Sequence, residues 1–323
     1  MKRRTLLQSA PLLLALPGSG WTQTPYPAKP IKYIVPVAAG GGSDMVGRTV
    51  CERLSKVLGQ PMVVDNLGGG GGVIASQTTA RSASDGYTLM QGYVSTHATA
   101  PATRKLSYDP VKDFTPIGMI GATPNVLVVN TALPIKDVKT FIEYVKKNPG
   151  RVSYGSAGAG SLTHLTAELF KLQTDTFMVH IPYRGIAPAT TDVIAGQTQA
   201  MFPGLAAALP HIRSGRLRPL AVTGNQRHPA LKDVPTMEEA GVKGFDAQQW
   251  YGIVGPAGMP APIVKQLNDA LVQVLAQPDF REKLSAEAIE LMPMTASQFG
   301  DYMKKDLARW ADLARKRNIN LDA

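Results

Sequence analysis

Residues 31–37 read IKYIVPV, and they are followed by the loop 38–43 (AAGGGS) and by a helical pattern over 44–58. A short, continuous apolar run is typical of a parallel strand that is buried on both faces. The small residues after it predict a tight loop, and Asp44 is well placed in the first turn of a helix. The stretch therefore predicts a strand–loop–helix unit whose loop lies at the carboxyl end of the strand.

The same unit recurs along the chain, which predicts an α/β fold with parallel-rich sheets and right-handed crossovers. The further predicted strands are 62–65, 87–92, 125–129, 152–155, 179–182, 200–202, 219–223 and 250–255. The predicted helices after the first are 73–81, 135–147, 161–172, a helix to 195, a helix to 214, 260–276 and 296–318.

The units fall into two sets, which predicts two lobes joined by two crossover strands near 120–125 and 223–227. No Pro- or Gly-rich linker separates the sets, and this favours a hinge over a flexible tether. The expected organisation is an export signal at 1–24, lobe 1 over 25–122, lobe 2 over 123–224, and a helical C-terminal part over 225–323 that returns to lobe 1.

Composition limits the class of protein. The chain has 323 residues, 44% of them hydrophobic, and a formal net charge of +10. Such a surplus attracts anions. However, the Lys and Arg residues are scattered, and the one basic run outside the N-terminus is 315–317 (RKR). We therefore expect small anions as partners and no nucleic acid.

The N-terminus has the features of an export signal. Residues 2–4 (KRR) are basic, 6–16 form an apolar stretch that is too short to span a bilayer, and 18–20 (GSG) have a small-x-small pattern. The arrangement predicts a periplasmic protein that is soluble after cleavage. An uncleaved interfacial helix is the alternative, and a faint twin-arginine pattern leaves the export route open.

Signatures of catalysis and metal binding are missing from the sequence. The glycine loops match neither a dinucleotide fingerprint nor a phosphate-binding loop, and the histidines lack metal spacing. Cys51, the single cysteine, is expected to be a packed, inert thiol rather than a nucleophile. We expect no catalytic residues, no metal and no cofactor.

The loops at the carboxyl ends of the predicted strands are rich in Gly, Ala and Ser, which lets a ligand approach backbone N–H groups closely. Loops that open helices also aim those N–H groups at an anion. Ser161 is suited both to cap a helix and to donate a hydroxyl. Ordinary tight turns are the alternative for any one loop, but several alike favour a cradle for a small carboxylate. The candidate ligand-binding residues are Ala39, Gly41, Gly42, Ser43, Asp44, Ser95, Thr96, Gly158, Gly160, Ser161, His164, Tyr183, Gly185, Ala187 and Phe202.

For several side chains, the sequence leaves two interpretations open. His164 is either a packed or capping group or a ligand contact, and Asp44 either suits the helix dipole or also holds its loop. Arg184 is either solvated or a carboxylate clamp. Trp250 and Tyr93 are expected in the core or at the rim of the site.

Motifs over nearly the whole mature chain resemble the Bug family of extracytoplasmic receptors of tripartite tricarboxylate transporters. The motifs are 34–44 (IVPVAAGGGSD), 64–72 (VDNLGGGGG), 85–89 with 95–98 (DGYTL, STHA), 154–164 (YGSAGAGSLTH), 181–188 (IPYRGIAP), 220–223 (LAVT), 233–236 (DVPT) and 250–258 (WYGIVGPAG).

The resemblance implies a two-lobed periplasmic-binding fold of the second type, with a carboxylate in the cleft and delivery to a membrane permease. Departures from the usual pattern at Val37, Ala39, Ala75 and Ala100 leave the identity of the ligand open. We expect a monomer. A signalling receptor and, less favoured, an enzyme acting on a small acid are the alternatives.

Overall fold

The computed structural model describes residues 25–40 and 42–322. The expected export signal at 1–24 and the candidate Gly41 lie outside these residues. Within the described ranges, no helix is both long enough and apolar enough to cross a membrane.

The first sheet of the described chain has six strands. They are β1 (Ile31–Val35), β2 (Met62–Asn66), β3 (Thr88–Tyr93), β4 (Phe114–Pro124), β10 (Gln248–Pro256) and β11 (Glu290–Leu291), in the order β11-β4-β10-β3-β1-β2. Because β1 pairs in parallel with both β2 and β3, the carboxyl ends of these three strands lie at one edge. β4, β10 and β11 add antiparallel pairs.

The second sheet repeats this scheme with five strands. They are β5 (Val126–Asn130), β6 (Ser153–Ser156), β7 (Val179–Pro182), β8 (Ala200–Met201) and β9 (Leu217–Val222), in the order β7-β6-β8-β5-β9. β6 is parallel to β7 and β8, whereas β5 is antiparallel to β8 and β9. Parallel pairing is thus found among the βα units, and the strands next to the crossings pair antiparallel.

Helices connect and cover the sheets. They are α1 (Gly42–Leu58), α2 (Val73–Ala80), α3 (Ala100–Thr103), α4 (Val138–Lys147), α5 (Leu162–Thr174), α6 (Ile186–Ile194), α7 (Leu205–Arg213), α8 (Ala261–Leu275), α9 (Pro278–Ala286) and α10 (Ala296–Lys316), with a π-helical turn at Ser95–Thr99 and 3₁₀ turns at Gly70–Gly72 and Pro229–Leu231. The α/β architecture is as predicted, but α3, β4, α9 and β11 are not predicted from the sequence. β4 contains two glycines and two prolines, which weaken a strand pattern.

Two side chains with open interpretations lie in the core. Cys51 is buried, which confirms the packed thiol, and burial raises its pKa. Trp250 is fully buried, and its indole N–H donates to Asp306 at 2.8 Å. Neither side chain is available to a ligand.

The chain passes between the sheets at two adjacent points. β4 belongs to the first sheet and β5 to the second, so Asn125 is the first crossing. The return runs from Thr223 to Ala247. The Asn125 N–H donates to Thr223 Oγ1 at 2.8 Å, the Thr223 N–H donates to the Asn125 carbonyl at 2.9 Å, and the Ala247 N–H donates to the Thr223 carbonyl at 3.4 Å. These bonds hold the two crossing segments side by side.

The segment between β9 and β10 packs against the second sheet. The Val222 N–H donates to the Pro235 carbonyl and the Met237 N–H to the Val222 carbonyl, both at 2.9 Å. Farther along, Phe245 stacks on Phe202 of the second lobe. We therefore propose that lobe 1 resumes at Ala247 and not at residue 225.

Candidate ligand-binding cleft

Two groups of βα loops face each other between the sheets. In lobe 1, loops follow the carboxyl ends of β1, β2 and β3, and in lobe 2 they follow β6, β7 and β8. The π-helical turn after β3 packs against α5, which begins after β6. A methyl group built on Gly160 would lie 2.9 Å from Thr103 Oγ1 of lobe 1. The two edges therefore approach each other, and we propose that they border one cleft, which we call the interlobe cleft.

The β1–α1 loop is held by one buried carboxylate. Asp44 Oδ2 accepts from the Gly40 N–H at 2.9 Å and from Arg48 Nε at 3.0 Å, and Asp44 Oδ1 accepts from Asn66 Nδ2 at 2.8 Å. Asn66 Nδ2 also donates to the Val37 carbonyl at 3.2 Å. Asp44 thus ties its own loop to the end of β2, and its carboxylate already has three donors.

Burial opposes ionisation of Asp44, but the hydrogen bonds from Gly40, Asn66 and Arg48 outweigh it and lower the pKa of this carboxyl. The group stays ionised at neutral pH. Its geometry makes it a brace for the loop rather than a contact for an anionic ligand, which the negative charge would repel.

Other polar candidates of lobe 1 are also engaged. Gln91 Nε2 donates to both the carbonyl and the hydroxyl oxygen of Ser43 at 2.9 Å. Thr96 is fully buried, and its hydroxyl donates to the Tyr93 carbonyl at 3.0 Å. Ser95 is half-buried at the start of the π-helical turn. Of the lobe 1 candidates, Ala39 and Gly42 are exposed and Ser95 is half-buried, so we expect these three to be accessible to a ligand.

The β6–α5 loop in lobe 2 has the predicted helix cap. Ser161 is the N-cap of α5, and its oxygen accepts from the His164 N–H at 3.3 Å. The Ser161 hydroxyl also donates to the Gly158 carbonyl at 2.6 Å. His164 is buried and accepts from the Gly160 N–H through Nδ1 at 3.1 Å. In this structure, His164 is therefore packed and holds the loop, in line with the first of its two interpretations.

Gly158 and Gly160 differ in access. Gly158 is half-buried, whereas Gly160 is buried beneath Leu321 and the Arg104 side chain of lobe 1. Both have positive φ, 124° and 74°, a region that favours glycine. Gly158 is thus the more accessible of the two, although its N–H already donates to Ser156 Oγ at 3.1 Å and its carbonyl accepts from the Ser161 hydroxyl, while Gly160 shapes the loop.

The β7–α6 loop of lobe 2 is open to solvent. Its helix, α6, begins after Gly185 without a side-chain cap, and Ala187 is exposed. Tyr183 is half-buried, and its hydroxyl donates to Asp192 at 2.6 Å. Arg184 is exposed. The first-turn N–H groups of α6 can accordingly receive an anion.

Phe202 is a correction to the candidate set. Its side chain is fully buried and packs against Phe170 and Phe245 with ring centroids 5.6 and 6.4 Å away. A residue at the carboxyl end of the short strand β8 is expected at the cleft, but here the aromatic ring turns into the core of lobe 2. Phe202 therefore cannot contact a ligand.

Several residues that shape the cleft are missing from the sequence-based set. Asn66 and Gln91 brace lobe 1, and Ser156 and His180 brace lobe 2, as described below. Their partners lie far away in sequence, by 22 residues for Asn66 and Asp44 and by 48 for Gln91 and Ser43. The sequence alone held no signal for these pairings.

One Ser–His pair invites an enzymatic interpretation. The Ser156 hydroxyl lies 2.6 Å from His180 Nε2. However, Ser156 is fully buried at the end of β6, so that a substrate cannot reach it. Across residues 25–40 and 42–322 there is also no group of three or more His, Cys, Asp or Glu side chains that could hold a metal ion.

Comparison with known proteins agrees with this geometry. The family description that matches residues 46–319 is "Tripartite tricarboxylate transporter family receptor". Protein BugT of Bordetella pertussis is 36% identical over 302 residues, covering 92% of this chain and 91% of BugT.

Solved structures are similar over most of the chain. An R. palustris protein solved with adipate has 34% identity and a TM-score of 0.82, covering 91% of this chain and 99% of that one. MatC from Rhodopseudomonas palustris with bound malate has 32% identity and a TM-score of 0.77, covering 89% and 99%. The periplasmic binding protein BugD has 34% identity and a TM-score of 0.78, covering 91% and 99%. These relatives are receptors and binding proteins rather than enzymes, and the chain belongs to the tripartite tricarboxylate transporter receptor family, as its resemblance to the Bug proteins predicted.

Proposed function

We propose that this protein is an exported, periplasmic receptor that captures a small carboxylate in the interlobe cleft and delivers it to a tripartite tricarboxylate transporter permease. The observation that carries the proposal is the pair of loop edges, one in each lobe, whose exposed residues are mainly small and lead into the N-termini of α1 and α6. Structural relatives that were solved with adipate and malate support a carboxylate ligand.

The accessible backbone suits an anion. A methyl group built on Gly40, Gly42 or Gly185 would meet no atom within 4 Å, so these positions border open space. Among the described loop residues, Arg184 is the only cation, and it is exposed. We infer that the carboxylate is held by N–H groups and hydroxyls, because a buried cation first has to lose its hydration, which costs several kcal/mol.

The paired crossings support a hinge. Asn125 and Thr223 are hydrogen-bonded side by side, so that the lobes can rotate about a short, ordered axis. Ligand that bridges both loop edges then favours the closed arrangement. We expect a monomer that becomes more compact in small-angle scattering when it is saturated with ligand, and unchanged scattering despite measured binding would contradict the hinge.

The decisive experiment is a thermal-shift screen with adipate, malate, aromatic acids and amino acids, followed by calorimetry. A ligand at 100 times its dissociation constant stabilises the folded state by about 2.7 kcal/mol. We expect at least one carboxylate to bind and a matched amide to fail. Turnover of a bound acid would revive the enzyme alternative, and copurification with a signalling protein instead of a permease would favour the signalling alternative.

A further inference from the structure

Two histidines of lobe 2 are stacked directly behind the β6–α5 loop. The ring centroids of His164 and His180 are 4.0 Å apart with an interplanar angle of 6°. The Tyr154 ring is nearly parallel to both, with its centroid 4.9 Å from that of His180 and 6.4 Å from that of His164. His164 belongs to α5, His180 to β7 and Tyr154 to β6. The stack therefore joins three elements that meet at the loop.

His164 holds the loop through a lone pair. Its Nδ1 accepts from the Gly160 N–H at 3.1 Å. This bond requires that Nδ1 carry no proton, so the ring must be neutral with its hydrogen on Nε2. Protonation of Nδ1 would turn the acceptor into a donor that faces another donor.

His180 holds the same loop through a serine. The Ser156 hydroxyl lies 2.6 Å from His180 Nε2, and its oxygen accepts from the Gly158 N–H at 3.1 Å. The Gly158 carbonyl already receives the Ser161 hydroxyl at 2.6 Å. The Ser156 hydroxyl also lies 3.2 Å from the Gly158 carbonyl. Because its contact with His180 Nε2 is the shorter of the two, we infer that Ser156 donates to Nε2, which then carries no proton.

We propose that His164 and His180 are a pair of positioning residues that, as neutral imidazoles, hold Gly158 and Gly160 in the conformation that receives the ligand carboxylate. This inference rests on the proposed function. Neither ring has to touch the ligand. The pair acts through two backbone N–H groups at the head of α5, and loss of either bond releases the loop.

The surroundings favour the neutral rings. Burial, together with the neighbouring His164, lowers the pKa of His180 to about 4, against the opposing effect of Glu168. Burial also lowers the pKa of His164. The charged groups that face the pair are Glu168 and Lys171 of α5, Arg317 of α10, which pairs with Glu168, and Arg104 at the end of α3, near Gly160.

The direction of the pH effect follows from these shifts. With the loop released, the imidazoles titrate near their ordinary value of 6.5, whereas with the loop formed His180 takes a proton only near 4. Between these values, each fall in pH favours the released loop, because that state binds more protons. Above about 6.5 both states are neutral, and pH has no effect through this pair.

The first experiment needs no ligand. In ¹⁵N NMR of the histidine rings at pH 7, we expect hydrogen on Nε2 of His164 and on Nδ1 of His180. The Gly158 and Gly160 amide signals should shift with the imidazoles on acidification, while the Gly40 amide, bound to Asp44, should stay constant until the carboxyl titrates. The opposite tautomers, or glycine signals that ignore the imidazoles, would overturn the proposal.

The second experiment uses adipate as the probe in calorimetry. His164→Asn and His180→Gln keep an acceptor without a titrating ring and should bind within about twofold of wild type at pH 7. His164→Leu and His180→Leu lose the acceptor and should weaken binding by about five- to tenfold each, as expected for one hydrogen bond. His228→Leu is a matched control, because His228 is buried and also accepts from a backbone N–H, that of Ala230, away from the loop.

The pH profile separates positioning from a packing role. The ratio of wild-type to His164→Asn/His180→Gln dissociation constants for adipate should rise as pH falls from about 6.5 to 4, and ionisation of adipate itself cancels in the ratio. A constant ratio would refute the proposal even if the Leu variants fold poorly. If adipate does not bind the wild type at pH 7, adipate is not a ligand of this protein. The NMR measurement of the ring tautomers needs no ligand and still decides the role of the His164–His180 pair.

Discussion

The two loops that face each other across the cleft are braced by different acceptors. In lobe 1, the ionised Asp44 accepts from the Gly40 N–H, whereas in lobe 2 a neutral His164 accepts from the Gly160 N–H. Both bonds fix a glycine next to the N-terminus of a helix. The difference shows that one geometric task, fixing the glycine of a loop that leads into a helix, can be met by a charged or by an uncharged acceptor.

The choice of acceptor sets the response to acid. The pKa of Asp44 is lowered, so its brace persists from neutral pH down to below about 3.8. The imidazole brace weakens earlier, between about 6.5 and 4. As the pH falls, we therefore expect the β6–α5 loop of lobe 2 to lose its ligand-binding conformation before the β1–α1 loop of lobe 1 does.

The largest expected effect lies beneath the imidazoles. Glu168 is buried and accepts from Lys171 Nζ at 2.6 Å, from the Tyr154 hydroxyl at 2.8 Å and from Arg317 Nε at 2.8 Å. Glu168→Gln leaves the buried Lys171 without its counter-charge, and breaking such a pair costs about 3–5 kcal/mol of the free energy of unfolding.

Chemical denaturation measures this effect, with Glu52→Gln as the control. Glu52 pairs with Lys56 and Lys283 at exposed positions, so its loss should cost below about 1 kcal/mol. Equal costs for Glu168 and Glu52 would mean that the buried cluster does not stabilise lobe 2.

The next effect tests the charged brace of lobe 1. Asp44→Ala removes three hydrogen bonds to an ionised group and frees Gly40. Since each such bond contributes about 1.5–3 kcal/mol, we expect adipate affinity to fall by at least about tenfold. Asp65→Ala is the control, because Asp65 makes an exposed pair with Lys32 at 2.7 Å and lies outside the loop. If calorimetry finds the same adipate affinity for Asp44→Ala and Asp65→Ala, the Asp44 brace does not contribute to ligand binding.

How much of the fold and of the candidate site could be predicted from the sequence depends on how far apart along the chain the contacting residues are. The Ser161 cap was predicted because it acts within three residues, and the α/β units were predicted from local apolar runs. The paired role of His180 with Ser156 was not, because the two are 24 residues apart and meet only after β6 and β7 pair. The core position of Phe202 was missed for a different reason, because the position of a residue at the end of a strand does not say which way its aromatic ring turns.

A smaller effect is expected at the cap of α5. Ser161→Ala removes the bond to the His164 N–H and the bond to the Gly158 carbonyl. An N-cap contributes about 1 kcal/mol to stability. We expect a similar loss of stability and about tenfold weaker binding, because Ser161 also faces the cleft. Thr295→Ala is the matched control, since Thr295 caps α10 outside the cleft and should lower stability alone.

The smallest effect is expected at Arg184. The side chain is exposed, so its charge is screened by water and salt, and its removal takes away one charge from a chain of net +10. Arg184→Gln should slow association slightly at low salt and leave the dissociation constant of adipate within about twofold. Arg213→Gln, at the exposed end of α7, is the control for the loss of general charge.

Calorimetry on Ser161→Ala and Arg184→Gln together decides between two ways of holding the anion. If Arg184→Gln abolishes binding while Ser161→Ala does not, lobe 2 holds the ligand by a cation and not by its loop. The difference between the Asp44 brace and the His164 brace would then not affect the affinity for the ligand.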